Sequence, residues 1–184
     1  MVGKVVNGGG NLILLLGWNI AALPAPRKER EELEGLYMVT IGTSVFDIPK
    51  VYGNMWIELL ADKYGMTLEN HGVSSSTIAN DMRELPTNHS SYKVGSTRAS
   101  NSFVERLQNP NAKKGFSQVP NYEVDLVFFS GGGNDHARGI GIGEISLENN
   151  DTTTLCGAVN FCIAKLRELF PNALIVADTQ CTRV

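Results

Sequence analysis

The sequence has no long hydrophobic run and no strong excess of charge of either sign, and these absences exclude several classes of protein. Its 184 residues contain 16 Lys and Arg against 19 Asp and Glu, which gives a net charge of −3. A mildly acidic chain without a Lys/Arg block lacks the charge pattern of a nucleic-acid-binding protein, so no nucleic-acid partner is expected. No apolar run reaches the ~20 residues that a membrane-spanning helix needs, so stable membrane insertion is not expected either.

Cysteine is also scarce. Cys156, Cys162 and Cys181 are odd in number and lack the spacing of metal ligands, so the sequence predicts neither a disulfide framework nor a zinc site. Cys162 is expected to lie on the buried side of a helix as a small apolar residue. The common Gly-rich nucleotide-binding motifs are missing as well. We therefore expect no metal and no cofactor.

The beginning of the chain differs in composition from the rest, with a Gly-rich start, an apolar patch and a stretch of mixed charges. We interpret residues 1–35 as an N-terminal extension and residues 36–184 as one domain. The segment Asn11–Pro26 loosely matches a secretory signal peptide, but Gly17 and Asn19 interrupt its apolar middle. A short strand or a poorly ordered leader fits equally well, so the compartment, cytoplasmic or secreted, stays open, as does the oligomeric state.

From Leu36 onward, short apolar runs alternate with segments of helical periodicity. The runs predict strands, and the periodic segments predict helices with recognisable start and stop signals. The predicted strands are Tyr37–Ile41, Met66–Glu69, Val124–Phe129 and Ala173–Ala177, and the predicted helices cover 54–64, 100–107 and 151–170. Asn54 is the predicted N-cap of the first helix, and Gly65 is its predicted stop. This alternation is typical of an α/β protein with a mostly parallel sheet and helices on both faces.

Polar loops follow the first three predicted strands. Ser44 follows the first strand, Asn70 and Gly72 follow the second, and Asn134 follows the third. Parallel strands end at the same edge of a sheet, which is where open α/β sheets bind ligands. A nucleophilic serine needs hydrogen-bond donors for the oxyanion of its reaction. The backbone N–H groups of Ser44 and Gly72 and the side-chain amide of Asn134 are candidates for that role.

Three motifs in this order resemble the SGNH hydrolases, also called GDSL esterases/lipases. They are Gly42-Thr43-Ser44, Asn70-His71-Gly72-Val73-Ser74 and Gly132-Gly133-Asn134-Asp135, and the resemblance covers most of the chain from about Leu36. It implies a three-layer αβα flavodoxin-like sandwich that hydrolyses carboxylic esters through an acyl-enzyme. The substrate would be a small-molecule or carbohydrate ester.

The resemblance also implies roles for individual residues. Ser44 corresponds to the nucleophile, and Gly72 and Asn134 correspond to oxyanion donors beside the Ser44 amide. Four flanking residues are expected to line the substrate site, although Asp135 fits a structural hydrogen-bond acceptor better than a catalyst; they are Thr43, Ser74, Asp135 and His136.

The sequence departs from the family at two positions. Thr43 stands where the family usually has Asp before the nucleophile. The family's general base, a His in an Asp-x-x-His motif near the C-terminus, has no counterpart, because Asp178 is followed by Cys181 instead. A serine without a base is a poor nucleophile. We therefore expect a domain that is incomplete at its C-terminus, by roughly one strand and one helix of a doubly wound fold, with little or no activity.

Other residues and other functions remain open at this point. His136 is the nearest substitute for the base, although a solvent-exposed loop histidine is the simpler interpretation; His71 and His89 are weaker candidates. A non-catalytic carbohydrate- or ligand-binding domain that keeps the fold is the main alternative, favoured by Thr43 and the absent base. A flavodoxin-like nucleotide-binding domain is a third option.

Overall fold

The computed structural model describes part of the chain. The described residues are 3–6, 12–15, 32–47, 55–84, 87–88, 97–109, 112, 115–116 and 124–178. The strands are β1 (Gly3–Val6), β2 (Leu12–Leu15), β3 (Tyr37–Gly42), β4 (Thr67–Gly72), β5 (Leu126–Ser130) and β6 (Leu174–Ala177). The α-helices are α1 (Ser44–Asp47), α2 (Trp56–Tyr64), α3 (Phe103–Gln108), α4 (Gly133–Ala137) and α5 (Leu155–Leu169), and a 3₁₀ turn covers Arg98–Asn101.

Four of the strands form one parallel sheet in the order β4-β3-β5-β6. Numbered by their succession in the chain, the strands lie in the order 2-1-3-4, which matches the first four positions of the flavodoxin order. This arrangement confirms the predicted α/β class with a parallel sheet. Gly42 at the end of β3 pairs with Gly72 of β4 and with Ser130 of β5, so these three strands end level with one another. Strands β1 and β2 form a separate antiparallel pair.

The prediction for β4 was too short at its carboxyl end. The strand continues through Asn70-His71-Gly72, which the sequence analysis placed in a loop. Polar residues in a sheet are tolerated when their groups are satisfied. Here the Oδ1 atom of Asn70 accepts a hydrogen bond at 2.9 Å from the Thr40 hydroxyl on the neighbouring strand β3. That cross-strand bond removes the cost of placing an amide side chain inside the sheet.

The helix ends also differ from the predicted ones. Helix α2 begins at Trp56, with Met55 as its N-cap, and the predicted cap Asn54 lies outside the described residues. The predicted stop at Gly65 is confirmed, since this residue has a φ of +67°, a conformation that glycine adopts without strain. Helix α5 begins at Leu155 instead of Asp151, because Asp151 accepts hydrogen bonds from the backbone N–H and hydroxyl of Thr153 in a preceding turn.

The backbone contacts divide the chain into two compact units. The first, the sheet unit, contains residues 1–74, 120–130 and 169–184. Its core lies between the sheet and α1 and α2, where the rings of Phe46, Trp56 and Phe128 meet with centroid separations of 5.3 to 6.0 Å. Burial of each large apolar side chain of this kind contributes about 1.5–3 kcal/mol, so α1 is fixed to the sheet mainly by Phe46.

The second unit, the helical unit, contains residues 75–119 and 131–168. The predicted helix at 100–107 is divided here into the 3₁₀ turn and α3, whose N-cap hydroxyl, that of Ser102, accepts from the Glu105 N–H at 3.0 Å. Cys162 on α5 is fully buried, as predicted, and burial raises the pKa of its thiol. Cys156 and Cys162 are both unbridged, and Cys181 lies outside the described residues.

Within the described part of the chain, no helix combines the length and hydropathy needed to cross a bilayer. The same residues contain no group of three or more His, Cys, Asp or Glu side chains that could hold a metal ion.

Candidate active site

Ser44 is the first residue of α1, two positions after β3 ends at Gly42. It was predicted in a loop, but the Phe46 N–H donates to the Thr43 carbonyl at 3.0 Å and closes a helical turn there. Ser44 is half-buried, and its hydroxyl has no hydrogen-bond partner among the described residues, whereas Thr43 is buried. As the first helical residue, Ser44 also has no intrahelical partner for its backbone N–H. It therefore offers a hydroxyl and an amide at one position.

Two glycines allow α1 to lie directly on the ends of the central and edge strands. A Cβ atom at Gly42 would lie 1.9 Å from Cδ2 of Phe46, and one at Gly72 would lie 2.6 Å from Cβ of Phe46. The contact at Gly72 includes the backbone of α1, since the Phe46 carbonyl carbon would be 2.7 Å away. Backbone cannot move aside as a flexible side chain can. Gly72 is thus required by the packing of α1, a role that the sequence analysis did not foresee.

Asn70 joins the same elements through hydrogen bonds. Its Nδ2 donates to the Phe46 carbonyl at 2.7 Å, and its Oδ1 accepts from the Gly72 N–H at 2.9 Å in addition to the Thr40 hydroxyl. The Gly72 amide, predicted as an oxyanion donor, is therefore engaged with Asn70 in this conformation. Its use in catalysis requires that this bond be shared or broken.

Asp47 is a site residue that the sequence analysis missed. Its Oδ2 accepts a hydrogen bond from the Ser74 N–H at 2.6 Å, which ties the segment after β4 to the end of α1. In the SGNH resemblance the acidic residue stands directly before the nucleophile, where this chain has Thr43. An acidic residue three positions after Ser44, on the same short helical turn, was the available signal.

Asn134 lies in the helical unit, as the second residue of α4. The chain enters α4 through Gly132, whose φ of +102° strongly favours glycine. The Nδ2 of Asn134 donates to the Ser76 carbonyl at 2.8 Å. Because a carboxamide nitrogen carries two hydrogens, one donor remains for another acceptor.

Asp135 acts as a structural acceptor within the same unit. It is fully buried, and its carboxylate accepts from the Ile78 and Ala79 N–H groups at 2.9 to 3.1 Å. Burial raises the pKa of Asp135, and the two amides and the nearby Arg138 oppose that rise in part. A substrate contact would require this carboxyl to leave its amides, so the observed bonds favour the architectural role over substrate binding.

Arg138 completes the attachment of α4 to the segment that follows Ser74. Its Nη2 donates to the Ser75 carbonyl at 2.5 Å, and its Nη1 lies 3.7 Å from Oδ2 of Asp81. Ser75 has a φ of +62°, an unfavourable conformation for a residue with a Cβ atom. The hydrogen bonds that Asn134, Asp135 and Arg138 make with residues 75–79 hold the backbone in that conformation.

The two described histidines lie on different elements, His71 on β4 and His136 on α4. His71 contacts Glu69 at 2.8 Å, and Glu69 also accepts from the Tyr37 hydroxyl. Successive strand residues face opposite sides of a sheet, so His71 faces away from the side on which Asn70 and Gly72 contact α1. His136 on α4 is exposed, and His89 lies outside the described residues. No described side chain hydrogen bonds to Ser44, so neither His71 nor His136 is placed as its base.

A half-buried acid, Asp178, lies where β5 and β6 end. The Ser130 hydroxyl donates to Oδ2 of Asp178 at 2.9 Å, whereas the buried Oδ1 of Asp178 has no hydrogen-bond partner in the part of the chain that the structure describes. Burial raises the pKa of Asp178, and the bond from Ser130 opposes that rise.

Comparisons with known proteins bear on the fold. No protein-family model matches the sequence, and no curated protein matches it. Two solved structures described as "putative GDSL-like lipase" do match, one from Bacteroides uniformis ATCC 8492 (19% identity, TM-score 0.59) and one from Bacteroides ovatus ATCC 8483 (16%, 0.57). The chain has the fold of these GDSL-like proteins.

These matches differ mainly in how much of the matched protein they cover. They cover 82% of this chain in both cases, and 73% and 75% of the two Bacteroides proteins. A structure from Chitinophaga pinensis DSM 2588, described as "a possible lipase", is 19% identical with a TM-score of 0.51, and the match covers 77% of this chain but 47% of that one. A further structure is 22% identical with a TM-score of 0.56, and this chain spans 59% of its length.

Within this GDSL-like fold, the structure brings some of the predicted site residues together. Ser44, Gly72 and Ser74 are joined through α1 in the sheet unit. Asn134, Asp135 and His136 lie together on α4 in the helical unit. That the two groups form one site stays a prediction.

Proposed function

We propose that the protein is a serine-dependent ester hydrolase of the SGNH type, acting on a small-molecule or carbohydrate ester. Ser44 is the nucleophile, and the N–H groups of Ser44 and Gly72 and the Nδ2 of Asn134 are the oxyanion donors. The observation that carries the proposal is the half-buried Ser44 hydroxyl at the start of α1, beside the level ends of β3 and β4, which has no hydrogen-bond partner within the described ranges. The likeness in fold to GDSL-like proteins supports it.

The chemistry proceeds in two halves. Ser44 Oγ bonds to the acyl carbon, its proton passes to a base, and the carbonyl oxygen gains the negative charge that the donors stabilise. Collapse of this intermediate breaks the ester C–O bond, and the alcohol leaves with the proton. Water then attacks the acyl-enzyme and releases the acid and the free serine.

The base is the missing part of this scheme, because no described side chain hydrogen bonds to Ser44. A slow reaction that depends on Ser44 is therefore expected, and an external base should accelerate it. Free imidazole can take the serine proton in place of a histidine side chain.

The test is hydrolysis of p-nitrophenyl acetate with increasing imidazole, by the wild-type protein, Ser44→Ala and Asn134→Ala. The rate above the imidazole background should rise for the wild type and vanish for Ser44→Ala. Asn134→Ala should lower the rate by about 10²–10³-fold, the usual effect of losing one oxyanion donor. Thermal unfolding of each variant checks the fold. Equal rates for wild type and Ser44→Ala rule the mechanism out.

A non-catalytic ligand-binding domain is the second candidate, and one observation favours it. The Gly72 N–H already donates to Asn70, so the oxyanion site is partly occupied by the protein itself. Saturable binding of an acetylated sugar that is unchanged in Ser44→Ala, with no turnover at any imidazole concentration, would select this function.

A further inference from the structure

A second feature, an apolar groove, lies in the helical unit between the segment after α4 and the first turns of α5. Its volume is about 360 Å³, and Ile145, Leu147, Leu155 and Val159 are among its lining residues. Ile145 and Leu147 are each 86% exposed, the highest values among the large apolar side chains that the structure describes as exposed. Exposed apolar residues that cluster around a concavity are typical of a binding surface.

The segment that carries these side chains is firmly attached. The N–H groups of Leu155 and Cys156 donate to the carbonyls of Gly141 and Ile142, both at 2.9 Å. The side chain of Asn160 donates to the carbonyls of Ser146 and Asn149, both at 2.8 Å. The loop therefore presents Ile145 and Leu147 to water in a fixed conformation, and a fixed apolar surface loses little entropy on binding.

The segment that contains the lining residues carries charge of one sign. Residues 139–163 include Glu144, Glu148 and Asp151, and contain no Lys, Arg or His. All three acids are exposed. Hydrogen bonds from Thr153 hold the pKa of Asp151 below its usual range, so this carboxylate is ionised at neutral pH. An apolar floor with an acidic rim is complementary to a partner that combines apolar and positive side chains.

We propose that this groove binds a basic amphipathic polypeptide segment, with one or two large apolar side chains in the groove and Lys or Arg beside the carboxylates. Amphipathic helices commonly bind to apolar grooves in this manner. The same acidic rim opposes an anionic membrane, whose surface attracts basic segments. The proposal does not depend on the esterase function.

The test is titration of the wild-type protein with a synthetic amphipathic peptide of Leu and Lys, followed by fluorescence anisotropy, with a Leu/Glu peptide of the same pattern as control. Ile145→Ser combined with Leu147→Ser should weaken binding at least ~10-fold, because two apolar contacts are lost. Glu144→Gln combined with Glu148→Gln should weaken it about threefold at low salt and hardly at all at high salt. Leu59→Ser, at a 53% exposed leucine on α2, should leave the affinity unchanged.

Each contrary result overturns the proposal. Unchanged affinity in the Ile145→Ser, Leu147→Ser double variant shows that the peptide binds elsewhere, and equal binding of the Leu/Glu peptide removes the role of the rim. Binding of phosphatidylserine vesicles, lost in the same double variant and without peptide binding, would assign the groove to membranes instead. The unfolding midpoint of each variant shows that the fold is retained.

Discussion

The sheet unit and the helical unit hold their candidate catalytic groups by different means. In the sheet unit, α1 and Ser44 are positioned by close contact with backbone, at Gly42 and Gly72, where no side chain fits. In the helical unit, α4 and Asn134 are positioned by hydrogen bonds that involve buried or half-buried polar side chains, above all Asp135, which accepts from the Ile78 and Ala79 N–H groups. Close packing at the two glycines is disrupted when atoms are added there. Hydrogen bonding in the helical unit is disrupted when an acceptor is removed.

The largest effect is expected for an added methyl group in the sheet unit. Gly72→Ala should lower the free energy of unfolding by about 3 kcal/mol, because the new Cβ would overlap the backbone of Phe46 and Asp47. Denaturant unfolding measures this loss. Gly141→Ala is the matched control, since nothing lies within 4 Å of its Cβ position, and a similar loss in both variants would contradict the steric explanation.

Removing an acceptor from the helical unit should have the next largest effect. Asp135→Ala should lower the free energy of unfolding by about 2 kcal/mol, because the buried N–H groups of Ile78 and Ala79 lose their partner. Asp135→Asn keeps one acceptor oxygen and should lose less. If Asp135→Ala were as stable as the wild type, the attachment of α4 would have to come from other contacts.

A smaller effect is expected for Asp47, a carboxylate acceptor of the sheet unit. Asp47→Ala should cost about 1 kcal/mol, since it removes the bond to the Ser74 N–H from a half-buried position. Asp62→Ala, at an exposed acid on α2, is the control and should change stability little. A loss larger than that of Asp135→Ala would show that the sheet unit also depends mainly on polar contacts.

The smallest expected effect is the change in folding stability with pH that comes from Asp178. The pKa of Asp178 is raised by burial, so the folded protein binds this proton more tightly than the unfolded chain does. Its contribution to stability is fully present below the unfolded carboxyl pKa of about 4 and is lost as pH rises through the raised folded pKa. Relative to the wild type, Asp178→Asn should therefore become more stable as pH increases from about 4 to 7. A difference in unfolding free energy that is constant over this range would contradict the prediction.

The sequence predicted the features that depend on local pattern. Apolar runs located β3, β5 and β6, and the helical periodicity before Gly65 located α2. The carboxyl end of β4 was missed because Asn70 is satisfied by Thr40, a partner 30 positions away. The roles of Asp47 and Asp135 depend on contacts across 27 and 57 positions, which no local pattern reports.

The level end of the edge strand has a consequence for how this chain tolerates insertions and deletions. In β4, Asn70 and Gly72 face α1, while Glu69 and His71 lie on the reverse side with Tyr37. A shift of one residue in the pairing of β4 with β3 would exchange these two sets. The His71 imidazole would then face α1, where only the hydrogen atom of Gly72 fits now. The Asn70 carboxamide would face away from the Phe46 carbonyl to which it donates. Indels before Asn70 should therefore be tolerated only in the loops, never within the strand.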